Sequence, residues 1–145
     1  MRVLLAVDDS GFAEDLLHAV LAAIRHENAE ALVLHVLQPV EPVAPPEMAQ
    51  DYAPELEGLK APARALVERV AEELSRAGFK AHAEVVIGDV TETILERAKQ
   101  WDADLITIGS HGKRRIHDVL LGSVAESIAR RAGCSVFIAR AVAES

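Results

Sequence analysis

The stretch "GDVTETILERAKQWDADLITIGSHG", residues 88–112, changes its hydrophobic period partway along. Its first half spaces Ile94, Ala98 and Trp101 so that they share one helical face. Asp89 stands at the N-cap position and Glu92 three residues later, a capping-box-like pair that marks where this helix starts. Its second half, "ADLITIG", reads as a strand that ends on glycine. A helix that feeds directly into a strand is half of a crossover unit. Strands separated by helices favour right-handed crossovers and a mostly parallel sheet.

The same alternation continues outward. "VLLAV", Val3–Val7, is a short apolar run closed by "DDSG". A helix is expected from Ala13 to His26, with Leu16, Val20, Ala23 and Ile24 facing inward and Ser10 or Asp9 as its cap. Glu14 and Asp15 place negative charge in its first turn, which the helix dipole favours. "ALVLHVL", Ala31–Leu37, lacks strict alternation, as a strand covered on both faces does. Residues Gln38 to Leu59 read as an irregular, solvent-exposed excursion, because Pro39, Pro42, Pro45, Pro46 and Pro54 interrupt any long element. A helix then carries Ala63, Leu66, Val67, Val70 and Leu74 as an apolar stripe up to Gly78. "FKAHAEVVI", Phe79–Ile87, begins with alternation, which places it nearer a sheet edge. After the quoted stretch, Ser123 and Glu126 form a second capping-box pattern ahead of Ala125, Ile128, Ala129 and Ala132. Gly133 ends that helix, and "SVFIA" is a fifth strand.

Composition narrows the function classes. The chain has 145 residues, 50% of them hydrophobic and 26% charged, which suits one domain with a core that needs no disulfide or metal. A net charge of −8 argues against nonspecific nucleic-acid or anionic-membrane binding. The single cysteine, Cys134, reads as a buried thiol beside the last strand and not as a nucleophile, since no base accompanies it. The opening apolar run stops at Asp8 and Asp9, too short for a signal segment or a membrane span, so a cytoplasmic protein is expected. His18, His26, His35 and His82 show no metal-ligand spacing.

In an open α/β sheet, ligands collect beyond the carboxyl ends of the strands, where the strand order reverses. Asp8, Asp9 and Ser10 follow the first strand, Gly109 to Gly112 follow the fourth, and Gly122 and Ser123 precede the last helix. If the first and fourth strands are neighbours, both loops rim one crevice. Gly109 and Gly112 let the backbone approach an oxyanion. Gly122-Ser123 sits at a helix N-terminus, where unpaired N–H groups favour an anion, and Ser123 is equally the natural N-cap. The spacing is neither a Walker A loop nor a GxGxxG fingerprint. Lys113, Arg114 and Arg115, with His111 and His117 nearby, either neutralise phosphate charge or form a solvated turn.

At these residues the chain resembles the universal stress protein family, in its nucleotide-binding branch. Gly109, two residues, Gly112, nine residues, then Gly122-Ser123 matches that family's signature in every spaced position. "AVDDS" resembles its Val-Asp-x-Ser opening, and residues 88–112 resemble its pattern of Gly-x-x-x-x-x-Ile followed by Ala and then Asp-Leu-Ile. The likeness runs from Val3 to Ala139; Ser135 departs from it, standing where relatives carry proline. The resemblance implies ATP, with magnesium or manganese held mainly through the phosphates. It implies Asp8 near adenine or ribose, a backbone contact from Val36 to the base, and ribose and phosphate contacts from Gly109, Gly112, Gly122, Ser123 and Val124. With Ser10 and Lys113, these are the candidate cofactor-binding residues; no catalytic or metal-ligating residue is assigned. It also implies a homodimer through the last strand.

The expected fold is therefore α/β: a single-domain, open, parallel five-stranded sheet in the order 3-2-1-4-5, with helices on both faces. The expected function is ATP binding that tunes stability or partner binding in a stress response, without nucleic-acid or membrane partners. A nucleotide-independent homodimeric interaction protein and a slow magnesium-dependent ATPase are the alternatives.

Overall fold

The structure is a computed structural model that describes residues 1–8, 11–39, 53–110 and 121–140, with backbone alone for 53–57. Among the described residues nine elements alternate: β1 (Arg2–Ala6), α1 (Ala13–Ala23), β2 (Glu30–Leu37), α2 (Ala53–Ala77), β3 (Lys80–Ile87), α3 (Val90–Gln100), β4 (Leu105–Gly109), α4 (Ser123–Arg131) and β5 (Ser135–Ala139). The strands form one parallel sheet in the order β3-β2-β1-β4-β5, the order expected from sequence. β3 lies at the edge, where its alternating start suggested it would.

The chain crosses the sheet one way from β1 to β3, returns through α3 to β4, and continues the other way to β5. Crossovers of one hand must then change face at the return. They do. Leu16, Val20, Val67, Val70 and Leu74 of α1 and α2 bury against Val3, Leu5, Ala31 and Val33. Ile94, Ala98, Ala125 and Ile128 of α3 and α4 bury against Leu4, Leu32, Leu34, Ile106 and Ile108 on the other face. Successive residues of β1 and β2 thus enter different cores, which is why neither strand alternates in sequence. Burying a side chain such as Leu4 or Leu32 contributes about 1.5–3 kcal/mol.

Several boundaries differ from the sequence reading. α1 ends at Ala23, not His26; Ile24 is extended (φ −116°, ψ 133°) and Asn28 takes φ +57° in the turn toward β2. Ala23 and Ala129 are exposed, while Leu17 is buried. The N-cap of α1 is Phe12, which gives no side-chain cap bond; Asp9 and Ser10 lie outside the described residues. α2 begins at Ala53, inside the stretch read as irregular. Pro54 is tolerated there because first-turn N–H groups have no helical partner, and Pro62 is carried inside the helix.

The end of α2 follows its sequence signal closely. Gly78 takes φ +113°, its N–H bonds the Ser75 carbonyl at 3.1 Å, and the Phe79 N–H bonds the Leu74 carbonyl at 3.0 Å. This is a Schellman cap, closed by burial of Phe79 and Leu74 in one core.

Candidate functional site

β1 and β4, the strands expected from sequence to share a crevice, are neighbours, paired from Val3–Leu105 to Ala6–Ile108. Strand alternation assigns their residues to faces. Leu4 and Ala6 face the α3/α4 side, Val7 faces the other core, and Asp8 follows at the carboxyl end of β1. The same parity puts Val36 on the α3/α4 side with Leu32 and Leu34. On this face Leu4, Leu32 and Leu34 are fully covered, but Ala6, Val36 and Val86, nearer the carboxyl ends, are only partly buried. Among the described residues the cover on this face thins to a gap over the upper ends of β1, β2 and β3.

One side of that gap is a helix end. α4 starts at Ser123, with Gly122 as its N-cap in an extended conformation (φ −68°, ψ 163°). Ser123 is therefore the first helical residue and not the cap expected from sequence. Glycine fills the cap position, and the first intrahelical bond runs from the Glu126 N–H to the Gly122 carbonyl at 3.0 Å. The Gly122 N–H bonds the Ser110 carbonyl at 2.6 Å, and the Ser110 N–H bonds Ala139 of β5 at 2.8 Å. The start of α4 is thereby tied to the end of β4, in the chain segment that joins them. Ser123 is exposed, and neither its N–H nor that of Val124 is bonded among the described residues. Unpaired N–H groups and the helix dipole make this end attractive to an anion.

The other side is where β1 leaves β2. Their pairing ends at Ala6–Leu34, although the Val7 N–H still reaches the Leu34 carbonyl at 2.9 Å. β2 continues beside β3 to Leu37–Ile87, extended by a bond from the Gly88 N–H to the Leu37 carbonyl at 3.0 Å. A regular ladder would next join the Val36 N–H to the Val7 carbonyl. The Nδ1 of His35 stands 2.8 Å from that carbonyl instead. A carbonyl only accepts, so Nδ1–H donates. His35 is 6% exposed.

α3 and α4 are also joined by charge. Arg131 at the end of α4 makes a forked pair with Glu92, Nη1–Oε1 at 2.5 Å and Nη2–Oε2 at 3.0 Å. The side-chain hydrogen bond from Arg131 holds the Glu92 carboxyl below its usual range, and the same bond raises Arg131. Only half of the expected capping box forms: Asp89 accepts the Glu92 N–H at 2.9 Å, while the Glu92 carboxylate goes to Arg131. Arg97 of α3 grips Glu84 of β3 with two bonds, and this pairing raises Arg97. Cys134 is half-buried against the α3/α4 core; burial, then the Asp104 charge, push its thiol up, so it is no activated nucleophile.

The structure therefore brings Asp8, Val36, Gly109, Gly122, Ser123 and Val124 to one end of the sheet. Ser10, Gly112 and Lys113 lie outside the described residues, as do His111, Arg114, Arg115 and His117. Sequence reasoning passed over His35 as a non-ligand, and Ser110 altogether. A lone polar residue near the end of an apolar strand was the available signal for His35. Among the described residues, no group of three His, Cys, Asp or Glu side chains is placed to hold a metal, and no helix is long and apolar enough to cross a membrane.

The universal stress protein family model matches residues 1–140. The chain is 26% identical to the universal stress protein Sll1388 of Synechocystis, over 94% of this chain and 96% of that one. It is 28% identical to the universal stress protein MJ0577 of Methanocaldococcus jannaschii, over 96% and 94% of the two chains. The solved MJ0577 structure superposes with a TM-score of 0.85, covering 99% of this chain and 97% of that one at 29% identity. A universal stress protein family protein of Arabidopsis thaliana, solved with AMP bound, shares the fold at 22% identity with a TM-score of 0.73, over 99% and 93% of the chains.

Proposed function

The chain belongs to the universal stress protein family, and we propose that it is an ATP-binding regulatory protein whose nucleotide occupancy tunes its stability or a partner surface in a cytoplasmic stress response. One observation carries the reading. The start of α4, where the Ser123 and Val124 N–H groups have no partner among the described residues, lies on the same face of the sheet as Val36 and at the same end as Asp8. An anion-attracting helix end beside a partly apolar gap suits a ligand with a phosphate at one end and a flat, partly apolar ring at the other. The Arabidopsis family protein with AMP bound supports an adenine nucleotide.

In this reading Asp8 and the Val36 backbone meet the adenine and ribose. Ser10, Gly109, Gly112, Lys113, Gly122, Ser123 and Val124 surround the sugar and phosphates. Magnesium or manganese arrives bound to the phosphates and supplies charge neutralisation there. Rapid hydrolysis is not part of the proposal, since it requires a group that orients the attacking water. Binding to the folded chain alone stabilises it by about 2.7 kcal/mol at a hundredfold excess over Kd. The proposed assembly is a homodimer through β5, whose free edge a second copy would cover; light scattering that finds only monomers would refute that part.

The test is mass spectrometry of ligand released on denaturing freshly purified protein, followed by ATP and AMP titrations with and without magnesium. Bound adenine nucleotide, or saturable binding at micromolar to millimolar concentration, is expected. No released nucleotide and no binding at millimolar ATP or AMP would overturn the reading.

A further inference from the structure

We propose that His35 is a positioning residue for nucleoside recognition: its ring takes the Val7 carbonyl in place of the Val36 N–H, and so leaves that N–H directed into the gap between β1 and β2. This rests on the nucleotide reading above, and it assigns a task to a residue outside the candidate binding set.

The argument begins with the direction of backbone groups. Along β2, alternate residues bond to alternate neighbours. Leu34 serves β1, since its carbonyl takes the Val7 N–H. Leu37 serves β3, since its carbonyl takes the Gly88 N–H. Val36 has the parity of Leu34, so its N–H points toward β1. Had β1 continued one more residue in register, the Val7 carbonyl would have consumed that N–H. The pairing stops at Ala6–Leu34, and Val36 makes no backbone bond to Val7.

Ending a central ladder inside a protein normally strands a carbonyl, at a cost of about 1–3 kcal/mol. The His35 Nδ1–H at 2.8 Å removes that cost. The residue opposite Val7 in the register thus ends the ladder with its side chain. An apolar residue would leave the Val7 carbonyl to recapture the Val36 N–H and close the gap. By that parity the Val36 N–H faces β1 just beyond the last pair, on the side where the ring of the ligand is proposed to lie. The same bond fixes the peptide that leads into Asp8.

The test compares His35→Asn with His35→Gln. Asparagine puts its amide nitrogen where Nδ1 stands; glutamine carries it one bond further out. The readouts are adenosine and AMP affinity, and hydrogen exchange at the Val36 amide in the free protein. His35→Asn should bind adenosine within about twofold of wild type and His35→Gln about tenfold more weakly, as coupled neighbours do. The Val36 amide should exchange faster in wild type and His35→Asn than in His35→Gln. Equal adenosine affinity in wild type and His35→Gln, or equal losses in both variants, would overturn the role of His35 while leaving nucleotide binding intact. A wild-type chain that binds neither adenosine nor AMP would overturn the nucleotide reading and this inference with it.

Discussion

Replacing Ser123 by proline removes one N–H from the start of α4 with little disturbance of the fold. Ser123 is the first helical residue, a position that proline tolerates because its N–H has no intrahelical partner. The residue before a proline must be extended, and Gly122 already is, at φ −68° and ψ 163°. The tie from the Gly122 N–H to Ser110 and the Glu126 N–H bond to Gly122 both remain. Stability should therefore change by less than about 1 kcal/mol, as at other surface positions. A hydrogen bond to a charged phosphate is worth about 1.5–3 kcal/mol, so AMP and ATP should bind about 10- to 150-fold more weakly. Adenosine, which has no phosphate, should bind as it does to wild type. Ser123→Ala separates the hydroxyl from the N–H, since it removes the first and keeps the second. Calorimetric titration of the three proteins with adenosine, AMP and ATP gives the comparison. A folded Ser123→Pro protein that binds AMP with wild-type affinity would show that this amide does not meet the phosphate. Equal losses for adenosine and AMP would mean that the substitution deforms the whole site.

Other substitutions test the scaffold. Gly78→Ala forces a side chain into φ +113° at the Schellman cap, which should cost about 1–2 kcal/mol and lower the melting temperature by about 3–8 °C by calorimetry. Ile128→Ala empties a fully buried site between α4 and the sheet and should cost about 2–5 kcal/mol by chemical denaturation; a loss below about 1 kcal/mol would contradict the packing. Glu92→Gln removes the charge paired with Arg131. Because the folded Glu92 holds its proton less readily than the unfolded one, the pair stabilises above the usual carboxylate range, and this contribution is lost as pH falls through the depressed value. Melting curves should show wild type modestly above Glu92→Gln near neutral pH and the two converging in acid; a gap that widens in acid would refute the pairing.

Most of the fold could be read from sequence because each element carried a local signal. The Asp89 cap, the Gly78 stop and the uninterrupted run of β2 depend on residues a few positions apart, and all appear where expected. Failures came where context decided. Ser123 has good N-cap chemistry, but the bond from Gly122 to Ser110 moves the helix start by one residue. Glu92 stands at the right spacing for a capping box, yet Arg131, 39 residues away, takes its carboxylate. Prolines suggested an irregular path through 53–59, although a helix accepts Pro54 in its first turn. His35 illustrates the limit best. Its role depends on where β1 stops pairing with β2, and no spacing within β2 encodes that.

The most direct measurement is an amide NMR titration of the wild-type chain with adenosine and then AMP. Both ligands should move the Asp8 and Val36 signals, and AMP alone should move those of Gly122, Ser123 and Val124. Amide shifts at α4 that are absent with AMP, or identical with adenosine, would contradict a phosphate held at that helix end.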